Sequence, residues 1–190
     1  ARGLLETGST GAIGVMATVG TCDSGVYPRT IQGTLGLAGR GVATITQQGS
    51  PDLAAVIEGD PSRDKSLQEQ VAIDVRQLVE NHRASQPAGN AKSLSTIVLG
   101  CTHFPLVERE IDAAFASLRE DPVLAPYIAE TRQYVDPAEW TARQLFRELA
   151  TAKLRRRGAP AAAEKDRLFL SVAHPTLSGD RLNPDRSLTD

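Results

Sequence analysis

STIVLGCTHFPLVEREIDAAF, residues 95–115, decides the fold. Ser95 to Gly100 is a short apolar, β-branched run of the kind that a parallel sheet buries on both faces. It passes through Cys101, Thr102 and His103 to Pro105, after which Val107, Ile111 and Phe115 recur at helical spacing, predicting a helix over 105–118. A strand that turns through a short polar loop into a helix is the repeating unit of an α/β layered protein.

Upstream the same unit appears twice. Gly11 to Thr21 reads as a buried strand feeding a loop, followed by Ser24 as a helix cap and by Val26, Thr30, Ile31 and Leu35 at helical spacing. Gly41 to Gly49 is a second strand, with Ser50 as cap, Pro51 at the first helical position and Gly59 as the stop. Asp64 to Arg83 then carries Leu67, Val71, Val75, Leu78 and Val79 on one stripe, an amphipathic helix closed by the loop ASQPAGNAKS. Downstream, Tyr127 to Asp136 is a weaker strand and Pro137 to Arg156 a long helix. The alternation predicts an α/β fold, a three-layer domain with a largely parallel sheet. It occupies residues 1–154; residues 155–166 read as a linker, and 167–190 as one strand-like segment with a loose, turn-rich tail.

With a net charge of −2 and acids and bases interspersed, nothing favours nucleic acid or an anionic membrane as partner. No apolar stretch approaches the roughly 20 residues of a membrane span, and no basic and apolar leader opens the chain, so a cytoplasmic protein is expected. Two cysteines in such a chain are expected to be free thiols. The chain starts at Ala1-Arg2-Gly3 without a methionine, as a piece of a longer product would.

In parallel sheets, ligands bind beyond the carboxyl ends of the strands. Cys22 and Cys101 both fall there, with Thr18, Thr21, Thr102 and His103. Cys101 stands just before a helix start, which favours a thiolate or binds a carboxylate, and His103 is close enough in sequence to exchange a proton with it. The alternative is a small buried hydrophobe and a capping imidazole. A metal is not expected, since one Cys and one His lack a second cluster. GLAGRG, 36–41, reads as a turn and not a phosphate loop, GTCDSG lacks a histidine for a triad, and the arginines at 155–157 read as a solvated helix end. His82 is read on a surface helix and His174 in the tail, neither with a role.

LGCTHFPLV, residues 99–107, closely resembles the second cysteine motif of glutamate racemase, in the aspartate/glutamate racemase superfamily. IGVMATVGTCDSGVY is similar to the strand and loop that open that family's second lobe, while QQGSPDLAAVIEGD and YVDPAEWTARQL resemble later segments in the same order. The resemblance runs from about Gly11 to Leu154. It implies one lobe of a pseudo-symmetric, two-lobe bacterial enzyme that interconverts L- and D-glutamate without a cofactor and supplies D-glutamate for peptidoglycan. It also implies a homo-oligomer, with glutamate as the small-molecule partner. On matching positions Cys101 is one acid–base residue, Thr102 and His103 contact the substrate and support the thiol, and Thr18 and Thr21 line the pocket.

The family's first-lobe cysteine, in an Asn-Thr motif, has no counterpart here, and Asp23-Ser24-Gly25 lies in the loop that resembles the second lobe and not in a first-lobe position. Cys22 does not match that position. The resemblance therefore implies a second lobe without its first, and weak or absent turnover. Alternatives are a relative acting on aspartate, hydantoin or maleate, a non-catalytic lobe that binds a carboxylate or a partner protein, and a structural α/β domain.

Overall fold

Strand β1, Ala12–Thr18, has β2, Ile45–Ser50, on one side and β3, Leu94–Leu99, on the other; β4, Ile128–Val135, lies beyond β3. The order is β2-β1-β3-β4, and every pairing is parallel. The computed structural model describes residues 4–5, 11–87 and 91–154. All elements named here belong to one compact unit, Ala1–Ala152, and the expected linker, the arginines 155–157, the strand-like segment with His174 and the tail lie outside the described residues.

The connections are α1, Val19–Asp23, and α2, Val26–Leu37, after β1; α3, Leu53–Glu58, and α4, Leu67–Ser85, after β2; α5, Glu108–Leu118, after β3; and α6, Pro137–Thr151, after β4. Parallel strands need such crossovers, which cover both faces and explain why Ala12–Ala17 of β1 and Ile97–Leu99 of β3 are continuous apolar runs and not alternating ones. Along β1, Ala12 and Met16 face the layer built by α3, α4 and α5, whereas Ile13, Val15 and Ala17 face Ile31 of α2 and Trp140 of α6. In β3, Ile97 and Leu99 share the first face and Val98 the second; Leu94 reaches the first face because the register shifts between Leu94 and Thr96.

Helix α4 is set by a capping box: Glu69 N–H donates to Ser66 Oγ at 3.3 Å and Ser66 N–H to Glu69 Oε2 at 2.8 Å. Its apolar stripe is as expected, with Val71, Val75, Leu78 and Val79 buried. A fully buried side chain of this size contributes about 1.5–3 kcal/mol. Polar groups join the stripe where it meets β2, an edge strand whose Thr46, Gln48 and Ser50 bond His82, Asn81 and Asp74 of α4.

His82 is therefore not a surface residue: it is fully buried, with Nδ1 2.8 Å from Thr46 Oγ1 and Nε2 2.6 Å from the Lys92 carbonyl oxygen. It lies one turn beyond Leu78 on the buried stripe, and the hydroxyl and carbonyl satisfy both ring nitrogens, which makes burial affordable. Helix boundaries also differ from expectation: α3 starts at Leu53 behind Asp52 and not at Pro51, and α4 at Leu67 behind Ser66 and not at Asp64. A four-residue 3-10 turn, Phe104–Val107, separates Cys101 from α5, and α6 ends at Thr151 instead of continuing to Arg156.

Candidate active site

The carboxyl ends of β1, β2 and β3 share one edge. Met16 pairs with Leu99 and Thr18 with Ser50, so the residues that follow these strands emerge side by side. Gly100 N–H donates to the Met16 carbonyl oxygen at 2.7 Å and ties the β3 loop to β1. A Cβ at Gly100 would stand 2.9 Å from Tyr27 Cε2 and 3.1 Å from Ala17 Cβ, so only glycine lets the Tyr27 ring close against the loop.

Beyond Gly100 the chain turns sharply: Phe104 N–H donates to the Cys101 carbonyl oxygen and Leu106 N–H to that of His103. Phe104 and Val107 anchor this turn in the core. The anchoring holds Cys101 half-buried, with its Sγ 3.5 Å from His103 Nδ1. On the other side of the ring, His103 Nε2 lies 2.6 Å from Glu58 Oε1. A carboxylate only accepts, so Nε2 carries the proton and Nδ1 is left free to accept from the thiol. Glu58 closes α3, where Gly59 at φ 74° ends the helix in a left-handed cap.

Thr18 and Thr21 face each other across the first turn of α1, with hydroxyl oxygens 2.9 Å apart. Thr102 is exposed, and with Tyr27, Cys101, Asp136 and Pro137 it lines a small cleft of about 90 Å³. Cys22 is half-buried one residue after Thr21; burial, reinforced by Asp23, pushes its thiol up. Tyr27 sits within electrostatic reach of both cysteines: burial pushes its hydroxyl up, and the Cys101 and Cys22 sulfurs add to that. Among the described residues, no group of three or more His, Cys, Asp or Glu side chains could hold a metal ion.

Sequence reasoning pairs Cys101 with His103 because they are two residues apart, and the structure brings the two side chains together. That reasoning missed Glu58, 45 positions from His103, and Tyr27. A carboxylate at the end of the β2 crossover helix, facing the same strand edge, was the available signal for Glu58. Tyr27 gave none, since a tyrosine near a helix start is ordinary.

No family model matches the chain. A curated glutamate racemase of Symbiobacterium thermophilum is 36% identical over 158 residues, which is 80% of this chain and 43% of that protein. Glutamate racemases of Levilactobacillus brevis and Limosilactobacillus fermentum are each 29% identical, over 71% and 80% of this chain. A crystal structure of a glutamate racemase isoform from Bacillus anthracis superposes with a TM-score of 0.57 at 24% identity, over 80% of this chain and 46% of that one, and so shares the α/β fold. The chain spans less than half the length of these relatives, and over that span it is a homologue of the glutamate racemases.

Proposed function

We propose that this chain carries one half of a glutamate racemase site, in which Cys101 serves one face of the substrate α-carbon. The contact series Cys101–His103–Glu58 supports this reading above all. Glu58 holds the His103 tautomer in which Nδ1 accepts the thiol proton; the thiolate then removes the α-proton, and the imidazolium is stabilised by the carboxylate beside it. A proton from a group on the opposite face completes inversion, and the reverse direction exchanges the two roles. Thr18, Thr21 and Thr102 supply hydroxyls to the substrate's carboxylate and to the charge that develops on it. In this reading the reaction uses only side chains and no cofactor.

Cys22 does not match the position of the family's first-lobe cysteine, so the opposite-face group is assigned to the portion of the racemase fold that these residues do not match. The exposed apolar side chains of α6 agree with a missing counterpart. The assembled enzyme would be a cytoplasmic homo-oligomer that furnishes D-glutamate for peptidoglycan. The same exposed helix favours a second reading, a non-catalytic lobe that binds a partner protein.

The test is α-proton exchange of L- and D-glutamate in D2O, followed by NMR, on this chain and on its fusion to the unmatched portion of the Symbiobacterium thermophilum racemase. Little exchange is expected from the chain alone. Exchange with inversion is expected from the fusion, abolished by Cys101→Ser. A folded fusion that exchanges neither enantiomer, or one that is indifferent to Cys101→Ser, overturns the proposal.

A further inference from the structure

We infer that Asp74 and Ser50, buried behind the site, are positioning residues that aim Glu58 at His103 and, through it, set the state of Cys101. Ser50 ends β2 and is almost fully buried, so it cannot touch a substrate. Its hydroxyl donates to Asp74 Oδ2 at 2.7 Å and accepts from the Leu53 backbone N–H at 3.0 Å. Leu53 is the first residue of α3, and Glu58 is the last. The six-residue helix is therefore oriented from its start by a hydroxyl whose own direction is fixed by a carboxylate on α4.

Asp74 is 2% exposed, and burial pushes its carboxyl up, so keeping it there is costly. Gln70 Nε2–H, at 3.2 Å, is its other donor, one turn earlier on the same helix. An apolar residue would suit this stripe of α4 better if filling the core were the only requirement. What the carboxylate adds is an acceptor that leaves Ser50 with one hydrogen position, the one that frees its lone pairs for Leu53 N–H. Arg63 adds a separate restraint, pairing at 2.7 Å with Asp52 just ahead of the helix. A short helix has little rigidity of its own. Leu53 is buried in the core and Ala54 and Ile57 pack partly against it, and the Ser50 hydroxyl and the Asp52–Arg63 pair add a directional restraint at the helix start to that packing.

The positioning role rests on reading Cys101, His103 and Glu58 as the working group, but its test needs no turnover. The rate of Cys101 alkylation by iodoacetamide at neutral pH is compared with that of Cys22 in the same molecule by mass spectrometry. His103 held as an acceptor speeds the reaction at Cys101, because the thiolate is the reacting form. Glu58→Gln, Ser50→Ala and Asp74→Leu are each expected to lower the Cys101-to-Cys22 rate ratio about tenfold, while Asp74→Asn, which keeps an acceptor for Ser50, restores most of it. Urea unfolding identifies variants that remain folded. If Asp74→Leu does not fold, Ser50→Ala, which removes one oxygen, carries the test. An unchanged or raised ratio in folded Ser50→Ala overturns the inference. So does a ratio in Asp74→Asn as low as that of Ser50→Ala. Absent glutamate exchange in the folded fusion, with the expected pattern of ratios, would sink the racemase reading alone.

Discussion

Helices α4 and α6 are both amphipathic and of similar length, yet they meet opposite ends. Seven residues of α4 are buried, among them Asp74 and His82, each with hydrogen-bond partners on β2. No residue of α6 is fully buried; Trp140 packs partly against the sheet, Arg143 lies over its ring at 4.7 Å, and Leu145, Phe146 and Leu149 are exposed at 58%, 73% and 40%. An apolar stripe thus announces a helix that wants a partner, without saying whether the partner is in the same chain. For α4 it is. For α6 only Trp140 is so placed among the described hydrophobic residues, and Leu145, Phe146 and Leu149 stay exposed.

The largest break in this comparison is expected at Leu78→Ala, which opens a cavity where α4 meets Gly14 and Ile97; a loss of about 3 kcal/mol in urea unfolding is expected. On the opposite face, Gly100→Ala forces a methyl group against Tyr27 and is expected to cost about 2 kcal/mol, read as a drop in Tm.

Next comes the acid response of α4. Burial holds the His82 imidazole below its ordinary 6.5, so the unfolded chain takes up a proton first and stability falls as pH drops through about 6.5. Asp74 has the opposite sign and acts lower, because its raised carboxyl binds a proton before the unfolded one does. His82→Gln should therefore flatten the decline of Tm between neutral and mildly acidic pH, and an unchanged slope would refute this account of His82. The smallest effect is expected at Phe146→Ala, within about 0.5 kcal/mol for this chain alone. The same change should weaken association with the racemase portion that α6 lacks, measured by titration calorimetry.

Much of the architecture was legible because β1, β3 and α4 have unambiguous patterns: continuous apolar runs in the strands, and a stripe with a capping box in the helix. His82 was misread because histidine at a stripe position looks polar until Thr46 and the Lys92 carbonyl, from distant segments, are seen to satisfy it. Helix α1 is not legible in the sequence because its five residues are too few to show a period. Cys101 and His103 were legible as neighbours, whereas Glu58 joins them only through the parallel order of β1, β2 and β3, and strand order is invisible in a pattern of single strands.

That strand order also sets when the protein can become itself. β1 can pair with β2 as soon as Ser50 has been made, but its other edge has to wait for Leu94–Leu99, and β3 in turn waits for β4. Contacts so far apart in sequence are slow to close. On the ribosome, where synthesis adds about 5–20 residues per second, a nascent β1 exposes apolar Val15 and Met16 for several seconds before Val98 and Leu99 arrive to cover them. The strand that leads into Cys101 is thus also the one that covers the second edge of β1, so the event that shields β1 brings the thiol beside the end of that strand.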